Sequence, residues 1–317
     1  MDLPIIEAIE LKKHFKARKG LLHAVDNINF KIYEGKTLGA VGESGCGKTT
    51  LGRAVIRLVE PTAGDVLFKG ESILGLNRYK LKRVRNKMSM IFQDPFSSLN
   101  PRQNVADLIA DPLYINKTHK TRRERDEHVH RLMDTVGLAR RVEHSYPHEL
   151  DGGRRQRIGV ARALALNPEF IVCDEPVSAL DVSIQAQILN LLMDLQDEMG
   201  LTFLFISHDL SVVRHISDEI MVMYLGHCVE KAPCDDIFEN PKHPYTKALL
   251  SAIPVPSIES RNRRLEVLKG EVGNPVNPKP GCRFAPRCEL CTENCTGEDI
   301  PLTEISPDHF VACCNLE

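Results

Sequence analysis

An α/β fold, with a mostly parallel sheet covered by helices, is what this 317-residue sequence predicts. Three observations carry the prediction. Strand-like and helix-like segments alternate along most of the chain. A glycine-rich stretch, GESGCGKT (42–49), lies directly between one strand and one helix. A short apolar strand, FIVC (170–173), runs straight into two carboxylates, Asp174 and Glu175.

The elements follow in order. IIEAIEL (5–11) and AVDNINFKIYEGK (24–36) alternate in polarity and predict an antiparallel start. TLGAVGESGCGKTTLGRAVIRL (37–58) reads as strand, glycine loop and helix, and MSMIFQ (88–93) as a further strand. Residues 104–145 are helical in period, polar and rich in His and Arg. FIVCDE (170–175) is a buried strand, followed by the amphipathic helix SIQAQILNLLMDLQDEM (183–199). LTFLFISHD (201–209) and EIMVMYLG (219–226) add two more strands. From Pro254 to Gly281 proline and glycine punctuate the chain and periodicity fades, which predicts a linker or wrapping segment.

Composition narrows the class. A chain that is 42% hydrophobic and 26% charged, with formal net charge -2, reads as a soluble globular protein. No apolar run approaches the ~20 residues of a membrane span, and the N-terminus lacks the basic start and apolar stretch of an export signal. Two basic runs, RYKLKRVRNK (78–87) and KTHKTRRER (117–125), read first as solvated helix faces. A surface near anionic lipid or a partner is the alternative. Of the ten cysteines, six fall between Cys282 and Cys314, a cluster that suggests metal before disulfides in a reducing compartment.

The glycine stretch fits G-x-x-x-x-G-K-[ST], the P-loop of nucleoside triphosphatases, in the strand–loop–helix context that the motif requires. Gly42, Glu43, Ser44, Gly45, Cys46, Gly47 and Thr50 would wrap phosphate with backbone N–H groups, Cys46 acting mainly through its backbone. Lys48 would reach the β and γ phosphates of ATP, and the Thr49 hydroxyl would ligate Mg²⁺. Asp174, at the end of a buried strand, would organise Mg²⁺ and its waters. Glu175, one residue on, would polarise the attacking water. A second glycine pair, Gly152–Gly153 in ELDGGRRQR (149–157), opens a helix and prepares a close phosphate approach.

In this order, the P-loop, Gln93 in IFQDPFSSLNP, LDGGRRQR, VCDEP, SALD and ISHD make the chain resemble an ABC-transporter ATPase over essentially its whole length. The strings CDEPVSALDVSIQAQILNLL, FISHDLSVVRHISD and NPKHPYTKALLSAIP, with the tail GCRFAPRC…HFVAC, resemble the oligopeptide/dipeptide importer branch, and within it the second of two ATPases. The resemblance implies a P-loop core with an antiparallel β subdomain and a helical subdomain at about 94–165, together spanning 1–253. A proline-rich linker and Cys-rich module would occupy 254–317. It also implies that Gln93 senses the γ-phosphate and Mg²⁺, that His208 holds the transition state, and that Asp181 communicates across an ATPase dimer. Adenine would stack on Phe15, with His14 as the alternative.

By the same resemblance, each ATP lies between one subunit's P-loop and its partner's signature, here Asp151, Gly152, Gly153 and Arg154. The usual serine and glutamine are replaced by Asp151 and Arg154, so a carboxylate faces a phosphate. Two unit charges 4 Å apart repel by about 4 kcal/mol at an effective dielectric near 20. Asp151 is also a favourable helix N-cap, worth about 1 kcal/mol, and Arg154 lies where i and i+3 side chains meet. Compensation is therefore favoured over inactivation. Four tail cysteines, Cys282, Cys288, Cys295 and Cys313, match positions that hold a four-iron, four-sulfur cluster in some relatives. Zinc or reduced thiols are the alternatives, and Cys291 and Cys314 are additional.

The expected function is the ATP-hydrolysing motor of a peptide importer, peripheral on the cytoplasmic face of the membrane. Its partners would be a second ATPase, or a copy of itself, two permeases and, indirectly, an extracytoplasmic binding protein. Nucleic acid is not expected. Nickel or sugar importers, a soluble ABC ATPase of DNA repair or translation, and a regulatory ATPase with a dead site are the competing readings.

Overall fold

The structure, a computed structural model, describes residues 3–253, 270 and 273–316. Of the linker predicted from Pro254 to Gly281, residues 254–269 and 271–272 lie outside the described residues. The chain opens with β1 (Ile6–Ala17) and β2 (Gly20–Ile32), a long antiparallel hairpin, then β3 (Thr37–Val41) and α1 (Lys48–Val55). β4 (Ala63–Phe68), β5 (Glu71–Ser72), α2 (Arg78–Arg85) and β6 (Met88–Ile91) follow. β1 runs six residues beyond its predicted end, because its bulges let an exposed, charged half keep pairing with β2. The basic helix α2 buries none of its residues.

Between β6 and the next strand lies a helical layer: α3 (Pro95–Ser98), α4 (Val105–Asn116), α5 (Arg122–Thr135) and α6 (Gly152–Leu164). The predicted helical stretch breaks at 117–121, where Lys117 turns left-handed (φ 52°). α5 restarts from a capping box: the Glu124 N–H donates to Thr121 Oγ1 (3.2 Å) and the Thr121 N–H to Glu124 Oε2 (3.2 Å). Leu108, Ile109, Leu132 and Met133 pack with Val160 and Ala161 of α6, which joins this layer to the core.

The second half runs β7 (Phe170–Asp174), α7 (Val182–Met199), β8 (Thr202–Ile206), α8 (Leu210–Ile216) and β9 (Glu219–Tyr224). It continues through β10 (His227–Pro233), α9 (Cys234–Glu239) and α10 (Pro244–Ser251), and ends in the hairpin β11 (Thr303–Ser306) and β12 (His309–Val311). One sheet is antiparallel, in the order β2-β1-β4-β5; the other has eight strands, β11-β12-β10-β9-β3-β8-β7-β6. Pairing is parallel from β9 through β6. β3, β7 and β8 are buried at every position, which is why they read as unbroken apolar runs.

The cysteine-rich tail builds no core of its own. β12 pairs with β10 and extends the main sheet. Phe284, 2% exposed, closes an aromatic cluster with Tyr224 and Tyr245, ring centroids 5.3 Å from each. Glu230 of β10, fully buried, accepts from the Lys242 N–H (2.7 Å), the His243 N–H (3.0 Å) and His309 Nε2 of β12 (2.8 Å). One carboxylate thus ties the tail to the turn before α10.

That turn is sensitive to pH. His243 Nδ1 accepts from the Tyr245 N–H (3.1 Å), so the ring must be neutral, and burial pushes its pKa down to about 4 from 6.5. The unfolded chain binds this proton below about pH 6.5, whereas the folded one binds it only near 4, so stability falls as pH drops between the two. Denaturant unfolding should show this loss at up to ~1.4 kcal/mol per pH unit, and His243→Asn, which keeps a cap, should remove that component. An unchanged slope in His243→Asn would rule the histidine out.

Candidate nucleotide site

β3 ends at Val41, and the chain turns at Gly42 (φ 152°), where a Cβ would lie 2.1 Å from the Met223 carbonyl oxygen. It enters α1 through Gly47 (φ 106°), where a Cβ would lie 1.9 Å from the Ala24 carbonyl oxygen. Only glycine brings the backbone this close at either position. Lys48 is 5% exposed and curls over the loop, donating from Nζ to the carbonyls of Gly42 (2.6 Å) and Glu43 (3.0 Å). The Cys46 side chain is buried, with Sγ 3.7 Å from Lys48 Nζ, and burial raises the thiol pKa.

Thr49 Oγ1 donates to Asp174 Oδ1 at 2.8 Å. Asp174 is fully buried, and burial raises its pKa against the Thr49 hydrogen bond and the nearby Arg53 charge. Its Oδ2 is buried with no hydrogen-bond partner among the described residues. An orphaned carboxylate oxygen beside a threonine hydroxyl is a donor set that fits Mg²⁺. Glu175 sits in the left-handed region (φ 45°), a conformation that strains a side chain other than glycine. Its Oε2 accepts from Gln93 Nε2 at 2.8 Å and lies 3.3 Å from Nδ1 of the half-exposed His208.

Part of this set lines one cleft, whereas Gly42, Glu43, Cys46, Asp174 and His208 are not among its lining residues. Phe15, Ser44, Gly45, Gly47, Lys48, Thr49, Thr50, Gln93 and Glu175 line it, with Leu22, His23, Ala24, Leu225 and Pro275. His14, the alternative adenine platform, is engaged elsewhere. It stacks on His23 (centroids 3.8 Å) and donates to Asp26 Oδ1 (3.2 Å), leaving Phe15 on the cleft wall. The last five lining residues escape sequence reasoning. Pro275 belongs to no motif and arrives only because Val276 bridges Leu22 and the Pro275 carbonyl accepts from the His23 N–H (3.1 Å).

Asp151, Gly152, Gly153, Arg154 and Asp181 do not line this cleft. Asp151 caps α6, its Oδ1 accepting from the Arg154 N–H at 2.8 Å, and Arg154 Nη1 lies 3.5 Å from Asp151 Oδ2. The glycines have an intrachain reason as well. A Cβ on Gly153 would lie 2.8 Å from Ile184, and one on Gly152 would lie 3.0 Å from Leu180. Asp181 is the exposed residue preceding α7 and makes no side-chain capping bond.

In the tail, Cys295 Sγ lies 3.2 Å from Cys314 Sγ and accepts from the Thr292 N–H (3.4 Å) and Asn315 Nδ2 (3.5 Å). Cys313 Sγ accepts from the Asn315 N–H (3.4 Å). N–H donors aimed at sulfur suit thiolate ligands. Among the described residues no three thiols come within 4.8 Å of one another; the only such group of ligand atoms is His14, His23 and Asp26. The Asp26 carboxylate is already taken by His14, His23 (2.7 Å) and Arg283.

The model of the ABC transporter family matches residues 25–178, and that of the oligopeptide/dipeptide transporter C-terminal region matches 229–295. The chain is 52% identical to the oligopeptide transport ATP-binding protein OppF of Bacillus subtilis, covering 100% of this chain and 98% of that one. Identity to the dipeptide transport ATP-binding protein DppF of Haemophilus influenzae is 48%, with the same coverage, 100% and 98%. Among solved structures, a dimeric ATP-binding cassette in a post-hydrolysis state bound to ADP and Pi superposes with a TM-score of 0.67 at 28% identity. That match covers 72% of this chain and 98% of the other.

The cap geometry sets an energetic expectation. Asp151→Ala should destabilise the chain by about 1 kcal/mol, whereas Asp151→Ser, which still presents an acceptor, should cost a few tenths. Chemical denaturation of the two variants reads the difference. Equal losses would show that Asp151 is not acting as a cap.

Proposed function

The chain belongs to the family of ABC-transporter ATP-binding proteins, and we propose that it is the ATP-hydrolysing motor of an oligopeptide or dipeptide importer. The observation that carries this reading is the cleft lined by Lys48, Thr49, Gln93 and Glu175, with buried Asp174 bonded to Thr49 behind it and His208 Nδ1 3.3 Å from Glu175. Lys48 would exchange its loop carbonyls for the β and γ phosphates. Thr49 and Asp174 would hold Mg²⁺, which neutralises phosphate charge when bound. Gln93 donates to Glu175 Oε2 and His208 Nδ1 lies 3.3 Å from the same oxygen, so the carboxylate would be held where it can accept a proton from water. The water oxygen bonds to the γ-phosphorus, the bond to the β-phosphate oxygen breaks, and ADP and phosphate leave.

The signature's position off this cleft supports a site completed by a second ATPase, either a paralogue or a copy of the same chain. Its Asp151–Arg154 pair is net neutral, which supports an active signature there. Force would pass to two permeases at the cytoplasmic face of the membrane, with substrate delivered by an extracytoplasmic binding protein. Among the described residues no helix is long and apolar enough to cross a membrane. The peptide assignment rests on the named relatives and on the matched C-terminal region.

We also propose that Cys282, Cys288, Cys295 and Cys313 hold an iron–sulfur cluster with a structural role. Tetrahedral zinc, with Zn–S bonds of about 2.3 Å, brings its thiolates within about 4 Å of one another. What supports thiolate ligation is the set of N–H groups that donate to the sulfurs of Cys295 and Cys313.

Glu175→Gln should keep ATP binding and trap a closed dimer, with steady-state hydrolysis in the assembled transporter down by on the order of 10²-fold or more. Undiminished ATPase activity in a transporter whose other site has been silenced would overturn the role of Glu175. Anaerobic purification should give a brown protein with stoichiometric iron and sulfide. Colourless protein with one zinc would overturn the iron assignment, and metal-free protein would overturn the centre altogether.

A further inference from the structure

Glu43, the second residue of the P-loop, is held at three points. Its N–H donates to the Tyr245 hydroxyl at 2.9 Å. Its carbonyl accepts from Lys48 Nζ at 3.0 Å. Its carboxylate receives Arg287 in bidentate fashion, Nη1 to Oε2 at 2.7 Å and Nη2 to Oε1 at 3.1 Å. Arg287 comes from the tail, in the turn Ala285–Arg287 immediately before Cys288, and its side chain is 5% exposed. Nη1 also donates to the Tyr224 hydroxyl at 3.3 Å, so the guanidinium is fixed before it meets the loop. Far along the chain from every nucleotide motif, a buried arginine therefore grips the residue whose carbonyl anchors the phosphate-binding lysine. Planar, bidentate pairing fixes orientation as well as distance.

We infer that Arg287 is a positioning residue for ATP: acting through Glu43, it sets the P-loop so that Lys48 meets the terminal phosphates. Arg283, four residues earlier, gives the same turn a second hold, on Asp26 and on the carbonyl of Leu225, a residue of the cleft wall. The inference rests on the ATPase reading above. It adds that the tail belongs to the nucleotide site.

The experiment compares nucleotide affinities of the purified full-length chain. Arg287→Gln should weaken ATP binding about tenfold, a loss typical of a bidentate charged pair. AMP binding should be unchanged, because AMP offers Lys48 no β or γ phosphate. Arg287→Lys should recover part of the loss. Glu43→Gln should match Arg287→Gln, and the double variant should be no worse than either single one, as for coupled residues. A purely structural role would lower ATP and AMP affinity together, or lower thermal stability alone, and either result would overturn the inference. Should Arg287→Gln fail to fold, Glu43→Gln reads the same contact from the loop side, with ATP affinity equal to wild type as the refuting result. Absence of ATP binding by the unaltered chain would instead sink the ATPase reading.

Discussion

Parallel alignment of four strands is the constraint on which the site depends. β3, β6, β7 and β8 run in one direction, so their carboxyl ends meet at one sheet edge. β3 delivers Gly42 and the loop, β6 delivers Gln93, β7 delivers Asp174 and Glu175, and β8 leads to His208. Residues 42, 93, 174 and 208 are far apart in the chain, yet the register leaves them no other place to go. The apolar interior of the strands makes that register firm, since slipping one residue would take Asp174, paired with Ile206 at the strand end, away from Thr49.

Burial then decides chemistry. Asp174 has water removed from around it and only the Thr49 hydroxyl as a hydrogen-bond partner in return, so one carboxylate oxygen is left unsatisfied. A cation is the physical remedy. Glu175, one residue beyond, escapes this environment by adopting a left-handed backbone that turns its carboxylate toward Gln93 and His208. Adjacent acids thus acquire different surroundings, one bonded to Thr49 and the other to Gln93.

Much of this was legible in the sequence, and the gaps have physical reasons. Strands β3, β7 and β8 announce themselves as short apolar runs because both faces are covered, and the P-loop because its glycines are sterically obligatory. β4, β10 and the β11–β12 hairpin escaped, as did helices α8, α9 and α10: they are short, and tertiary pairing rather than local pattern specifies them. The tail read as a separate cysteine-rich module because its sequence holds little apolar material. Phe284 resolves that shortage by inserting into an aromatic cluster belonging to the main core. At the signature, the glycine pair signals close approach, but sequence alone could not show that Leu180 and Ile184 of the same chain already demand it.

The bridge between Leu22 and Val276 bears on how the protein is made. The P-loop and both catalytic-edge carboxylates leave the ribosome long before the segment that walls the cleft at Pro275. Such distant contacts are slow to form, because the loop entropy must be met before the contact repays it. During synthesis the emerging chain therefore holds an unfinished nucleotide cleft, open on the side that Pro275 later covers. Products of early termination would therefore carry the phosphate motif without the wall that Pro275 supplies.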